Sequence, residues 1–195
     1  ALDTVESKRA ENIIVTSSDC RLGKPASPQE MIFGDAAASF VVGSSNVIAE
    51  FKNSFSTTYD FVDHYRGETN KYDRQWEDRW IRDLGFAQLI PEAVNGYLEK
   101  NQLKMSDFNK VIYPSHYAAA RKQLNKQLGI TAEMEQTHFQ AELGESGTPH
   151  AMLMLVGALE DAKPGDNILL VSFGNGCDVL HFEVTPAIND LPARN

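Results

Sequence analysis

The sequence predicts an α/β domain, and three observations carry that prediction. In the second half, short apolar runs alternate with helical spacing: Val111-Ile112-Tyr113-Pro114 precedes a helix, and the stretch 144–184 reads as a helix followed by two strands. Turn signals punctuate these pieces at Gly129, at Lys163-Pro164-Gly165-Asp166 and at Gly174-Asn175-Gly176. No repeat, linker or low-complexity stretch divides the 195 residues, and a chain that is 42% hydrophobic can build one packed core or two small ones.

Residues 1–10 read as the tail of a helix, with Ala1, Leu2 and Val5 facing inward and Lys8 and Arg9 suiting a helix C-terminus. A chain that starts inside a helix is expected to have something upstream. Ile13 to Thr16 is a short buried strand, and the polar, proline-containing stretch Ser18 to Glu30 is a loop holding Cys20. Gly34 to Ser39 has almost no side-chain volume, as where backbone meets backbone closely. Phe40-Val41-Val42 then favours a strand, with Val47 to Phe55 as its expected partner. Asp35 is expected to tie a turn.

Ser56 to Arg74 has no clean period and carries Tyr59, Phe61, His64, Tyr65 and Tyr72; about twenty irregular residues in a compact domain point to function or insertion. Gln75 to Asn101 returns to helical spacing. Trp76, Trp80, Leu84 and Ala87 would share one face, and Gly85 and Pro91 would split the helix in two. Ser106-Asp107-Phe108 is a cap or a single turn. Ser115-His116 opens a helix that Gly129 closes. His138 lies in a strand-like run, and His181 is expected to face out of the last strand. The two final strands, 168–173 and 179–184, pair as a hairpin across Gly174-Asn175-Gly176.

The net charge of −9 is spread without a run of five like charges or a basic stripe, which disfavours nucleic acid as a partner. No apolar run approaches the ~18 residues of a membrane span. Cys20 and Cys177 make neither a disulfide framework nor a metal-ligand spacing, so no metal is expected, and the cytoplasm is the default compartment.

The order of pieces carries a resemblance. Phe33-Gly34-Asp35-Ala36-Ala37-Ala38 is followed by Pro114-Ser115-His116 with Arg121 five residues on. A glycine turn into a helix comes at Gly144, then Lys163-Pro164-Gly165-Asp166 and Val171-Ser172-Phe173-Gly174-Asn175-Gly176. From residue 1 to Val184 the series resembles the C-terminal half of thiolase-superfamily condensing enzymes, of the ketoacyl-ACP synthase III and 3-hydroxy-3-methylglutaryl-CoA synthase type. The resemblance implies one βαβ-rich half, a mixed sheet packed with helices, of a five-layered αβαβα arrangement. It also implies that the nucleophilic cysteine lies in an N-terminal half outside this chain, since neither cysteine here matches it. The chain is thus expected to be a fragment, a cleaved piece or one subunit of a split enzyme.

The implied chemistry is Claisen condensation or thiolysis of an acyl-CoA or acyl-ACP, with no cofactor beyond the thioester carrier. A cysteine holds the acyl group while His and Asn, or two His, polarise the partner carbonyl and move protons. His116 is the first candidate: at a helix start its ring is kept neutral, fit to donate a hydrogen bond or take a proton. Tyr117 and Ala119 replace the residues usual around it. Glu145 stands where relatives carry a hydrogen-bond donor, and a carboxylate cannot donate unless protonated; it is either an altered acid or base, or the mark of a lost site. His150 could turn into the same space. Gly144 and the loop Gly174, Asn175 and Gly176 would position the acyl thioester. The aromatic stretch 60–80 would shape an acyl pocket, or pack two Trp rings on an amphipathic helix, and His64 and Arg66 could meet a carboxylate or a CoA phosphate.

Two rival readings remain at this stage: a non-catalytic thiolase-like subunit of a larger complex, and a cysteine-independent aldol lyase with Glu145 or His150 as proton carrier. The resemblance also implies a homodimer or hetero-oligomer, and some relatives work with small OB-fold subunits. An isolated half would leave apolar surface seeking a partner.

Overall fold

The computed structural model describes residues 1–191. In chain order these form α1 (Leu2–Glu6), β1 (Asn12–Asp19), β2 (Ala36–Gly43), β3 (Ala49–Thr57), and the two-residue strands β4 (His64–Tyr65) and β5 (Arg74–Gln75). There follow α2 (Asp78–Trp80), a π-helical segment Ile81–Leu89, α3 (Ile90–Asn101), β6 (Lys110–Ile112), α4 (Ala118–Leu128), α5 (Gln140–Leu143), α6 (His150–Glu160), β7 (Asn167–Gly174) and β8 (Gly176–Val184).

Four strands make a mixed sheet in the order β3-β8-β7-β6, with β6 parallel to β7 and the other pairs antiparallel. Its centre is the run Ile168-Leu169-Leu170-Val171, apolar throughout because helices cover both faces. Leu169, Val171 and Val179 point to one side, where they meet the π-helical segment, α3 and α4. Ile112, Ile168, Leu170 and Val184 point to the other, onto Met154, Leu155 and Ala158 of α6. The predicted hairpin forms as expected: Gly174 pairs with Gly176 around Asn175. Gly176 has φ +129, and a Cβ there would stand 2.3 Å from the Thr57 carbonyl oxygen, so no other residue fits.

A second sheet stands apart. β1 and β2 pair antiparallel from Asn12↔Gly43 to Asp19↔Ala36, and neither strand contains a buried residue, so the strand expected to be buried at Ile13 to Thr16 lies instead in an open two-stranded ribbon. This ribbon leans on α6 through Phe40. The layers therefore run helices, mixed sheet, α6, ribbon, an αβαβ series within the expected αβαβα arrangement.

Several expected elements differ. Phe40-Val41-Val42 pairs with β1, and β3 joins β8 rather than β2. Gly85 and Pro91 do not split the helix: the backbone stays helical from α2 through α3. Gly85 instead lets the Phe173 ring approach, where a Cβ would stand 2.7 Å from its tip. Trp76 and Trp80 are half exposed (50% and 52%), while Ile81, Gly85, Phe86, Leu89 and Ile90 form the inner face. No strand forms around His138, and α4 starts at Ala118, two residues after His116. His181 is buried, not outward: it hydrogen-bonds Tyr97 Oη at 2.8 Å and Asn167 Oδ1 at 2.8 Å.

Candidate active site

Four connections end at one cavity of about 510 Å³: the loop after β6, the β7–β8 turn, the loop before α6, and the β4–β5 region with the start of the helical rod. Its apolar wall is Val62, Ile81, Phe86, Tyr117 and Phe173; its polar groups include Arg21, Asp63, His64, His116, Glu145 and Asn175. Phe86 and Phe173 pack at 6.1 Å between centroids, and Phe173 meets Phe61 at the same distance. The stretch 60–80 reaches the cavity through Val62, Asp63, His64 and Gln75, with Phe61 packed behind Phe173, while its two Trp rings stay half exposed.

His116 lies on the loop that β6 delivers. Ser115 is buried, and its Oγ accepts the Tyr117 N–H at 3.2 Å, fixing the turn that carries His116 between them. The imidazole stacks on Tyr117 at 3.8 Å between centroids, and neither ring nitrogen has a hydrogen-bond partner among the described residues. Burial pushes the ring below its ordinary pKa; Glu145 and Asp78 pull it back only in part, and the charges of His64 and Arg21 add to the lowering. A neutral ring with open nitrogens is fit to take a proton.

Glu145 also lines the cavity, but its carboxylate is occupied. Oε2 accepts from Arg21 Nη1, and Oε1 accepts the Gly147 N–H at 2.9 Å. Arg21 is itself buried, with Nε on Asp73 Oδ2 at 2.5 Å and the guanidinium 4.0 Å above the Phe33 ring. The Arg21 N–H donates to Asp35 Oδ1 at 3.0 Å, so Asp35 joins the two ends of the long connection between β1 and β2 rather than tying a local turn. Both oxygens of Glu145 act as acceptors, and a guanidinium holds one of them. This arrangement does not supply the hydrogen-bond donor that the resemblance implied at this position. Arg21 escaped the sequence reading because its partners lie 52 and 124 residues away.

His64 was legible only as a loose possibility. It stands on the same cavity, and its Nδ1 pairs with Asp63 Oδ2 at 2.9 Å. Burial pulls its pKa down, yet the hydrogen bond and charge of Asp63 outweigh this, and the net direction is up. Arg66 turns away onto Asp73, Asp19 and the Cys20 carbonyl. Tyr117 Oη bonds Asp78 Oδ1 at 2.9 Å and Gln75 Nε2, linking the His116 loop to the start of the helical rod.

The turn Gly174, Asn175 and Gly176 lines the cavity beside Cys177. Burial, then Asp178, pushes the Cys177 thiol up to about 12, so it is not an activated nucleophile. Cys20 is exposed. Gly144 serves packing: its φ is +68, and a Cβ would stand 2.6 Å from the Ile32 carbonyl oxygen. There the backbone of Glu145 is bonded both ways, its N–H to Ile32 O at 2.7 Å and its carbonyl from the Gly34 N–H at 3.0 Å.

His150 is not brought to the cavity. It is 1% exposed at the start of α6; Nε2 donates to the His138 carbonyl at 2.7 Å, and Nδ1 accepts from Ser146 N–H at 3.2 Å. The ring has no free nitrogen for chemistry. His138 bonds Glu135 Oε1 at 2.9 Å within a buried group that includes Tyr113 and Asn125. Among the described residues no cluster of three His, Cys, Asp or Glu is placed to hold a metal ion, and no helix is long and apolar enough to cross a membrane.

With this geometry in hand, comparison with known proteins gives a consistent picture. No family model matches the chain. The chain is similar to the hydroxymethylglutaryl-CoA synthase of Aeropyrum pernix, 31% identical over 181 residues, which are 91% of this chain and 50% of that protein. It is likewise similar to that of Methanopyrus kandleri, 28% identical, with 91% and 51% covered. A crystal structure of HMG-CoA synthase complexed with CoA superposes with a TM-score of 0.82 at 15% identity, covering 97% of this chain and 53% of the other. 3-Oxoacyl-[acyl-carrier-protein] synthase III from Aquifex aeolicus gives 0.77 at 18%, with 93% and 60% covered. The fold is therefore thiolase-like, and the resemblance to condensing enzymes holds. The chain spans about half the length of the curated relatives it matches.

Proposed function

We propose that this chain is the C-terminal half of an acyltransferase that forms or cleaves a carbon–carbon bond by Claisen chemistry on an acyl-CoA or acyl-ACP, with His116 as its acid/base. The observation that carries this reading is His116 itself, an imidazole with both nitrogens open in a cavity of about 510 Å³, floored by the Gly174–Gly176 turn. The nucleophilic cysteine would come from an N-terminal half in the same gene or in a partner chain, since Cys177 is buried with a raised pKa and Cys20 lies outside the cavity.

A binding partner for the β1–β2 ribbon is supported by its surface. Two strands alone are marginal, and Ile14 and Val41 are 69% and 68% exposed on it. A separate open hollow of about 780 Å³, which shares Gln75 with the cavity, carries Lys24, Lys71 and Arg74 beside Tyr65 and Trp76. That set suits the phosphates and adenine of CoA.

Glu145 favours a second reading, a thiolase-like subunit without catalysis of its own, because the donor position is held by a carboxylate locked to Arg21. One experiment separates the two. The protein with its natural upstream sequence is assayed for condensation and thiolysis with acetyl-CoA and a panel of 3-oxoacyl-CoA substrates, beside His116→Ala. Turnover that collapses in the variant supports the enzyme; a folded, partner-binding protein with no turnover supports the subunit.

A further inference from the structure

The cavity holds one more ionisable pair that no assigned role uses. His64 and Asp63 sit on the β4 side, on the wall contributed by the irregular stretch after β3. Asp63 grips the imidazole at Nδ1, 2.9 Å from Oδ2, while its other oxygen accepts the His64 N–H at 2.9 Å. The segment is held further by the Trp76 N–H donating to the Asp63 carbonyl at 2.9 Å, and by the pairing of His64 with Gln75. The ring is thus oriented by its own neighbour, and Nε2 has no partner among the described residues. Across the same cavity stands His116, near enough that its ring feels the charge of His64.

We propose that His64, oriented by Asp63, is the second catalytic residue of this site and delivers a proton from Nε2 to the carbonyl oxygen of the acceptor substrate. This rests on the condensing-enzyme reading above. It answers the difficulty at Glu145: the donor missing from the α6 side of the cavity is supplied from the β4 side. In the addition step, the α-carbon of the donor thioester gives a proton to neutral His116, and the electron pair left on carbon forms the new bond to the acceptor's carbonyl carbon. The π pair of that carbonyl moves onto its oxygen, which takes the proton carried by His64. One proton leaves carbon and one arrives on oxygen, so the addition balances with no oxidant or reductant. The reverse sequence cleaves the bond.

The surroundings set the two rings to opposite tasks. His116 is pushed towards the neutral form by burial, with Glu145 and Asp78 opposing and His64 and Arg21 assisting. His64 is disfavoured as a cation by burial and by Arg21, but Asp63 and Glu145 favour it, and the net direction is towards the charged form. Two groups in one site with pKa values driven apart divide naturally into base and acid.

The test uses the full protein that carries this chain, with acetyl-CoA and acetoacetyl-CoA as probes. The variants are His64→Gln, Asp63→Asn and His116→Ala, each checked by thermal unfolding to be folded under the assay conditions. His64→Gln is expected to lower kcat roughly 10²–10⁴-fold and to abolish the fall in activity at high pH that comes from deprotonating His64. Asp63→Asn is expected to move that fall to lower pH with a smaller loss of kcat, as suits a positioning residue. If His116→Ala abolishes turnover while His64→Gln stays within about threefold of wild type, or lowers it with the pH profile unchanged, the proposal is overturned and the condensing-enzyme reading stands. If the unaltered protein turns over neither probe in either direction, both fall.

Discussion

Two groups of histidines divide this molecule. His64 and His116 stand on the cavity, His64 with Nε2 open and His116 with both ring nitrogens open among the described residues; His138, His150 and His181 lie in the interior, each bonded to a neighbouring group. The interior rings act as fixed polar joints. His150 ties the loop before α6 to the segment at His138, and His181 ties β8 to Tyr97 of α3 and Asn167 of β7. A histidine is available for chemistry where an unpartnered nitrogen faces the cavity: His138 Nδ1 is also without a partner but is enclosed away from it, and burial alone does not distinguish the groups. The side-chain environment of a lone histidine in a sequence carries no trace of that difference.

The sharpest way to break the comparison is to exchange effects between the groups. His116→Ala is expected to reduce turnover by roughly 10²–10⁴-fold with little change in unfolding, measured by steady-state kinetics and denaturant titration. His150→Leu should do the opposite. It strands the Ser146 N–H and the His138 carbonyl in the interior, at a cost of about 2–4 kcal/mol, read from the denaturation midpoint. Loss of turnover greater than the lost stability explains would instead put His150 among the working residues.

pH sharpens it further. The folded pKa of His181 is lowered, first by burial and then by Lys52, so below its ordinary value of 6.5 the unfolded chain binds the proton more readily than the folded one. Its contribution is intact above pH 6.5 and is lost as pH falls. His64 is raised in the folded state, so its contribution is present below pH 6.5 and is lost as pH rises through the folded value. Denaturation across pH 5 to 8.5 should therefore show His181→Gln flattening the acid side and His64→Gln the alkaline side. The smallest effect concerns the thiols. Iodoacetamide at pH 7.5 should label exposed Cys20 and spare Cys177, whose thiol is pushed up to about 12; mass spectrometry reads the ratio, and labelling of Cys177 would show that its end of the hairpin opens.

Much of the second half was legible because its signals are local. Gly174-Asn175-Gly176 specifies a hairpin within three residues, and Gly129 stops α4 with φ +73. The strand before His116 was legible for the same reason. The failures have physical causes of another kind. The expected stripe Trp76, Trp80, Leu84 and Ala87 assumed 3.6 residues per turn, but the rod is π-helical from Ile81 to Leu89, and a wider turn shifts every later side chain around the axis. His181 was expected to face out of the last strand; β8 lies inside the sheet, and alternation puts His181 on the buried face with Cys177 and Val179, against Tyr97 of α3. The pairing of β3 with β8 joins residues more than a hundred positions apart, as does Arg21 with Glu145. Such contacts leave no periodic mark. Of the site, His116, Glu145 and the glycine turn were read from the sequence. His64 became a specific candidate only when the fold set it across from His116.

The backbone bonds between Glu145 and the residues just before β2 have a mechanical meaning. Ile32 and Gly34 hold Glu145 from both sides, and Gly34 lies so close to Leu143 that a Cβ would stand 1.7 Å from its carbonyl oxygen. The backbone that leads into β2 and the acidic wall of the cavity are therefore fastened to each other. Any side chain at position 34 would have to displace the backbone beside Glu145, and with it the carboxylate that Arg21 holds.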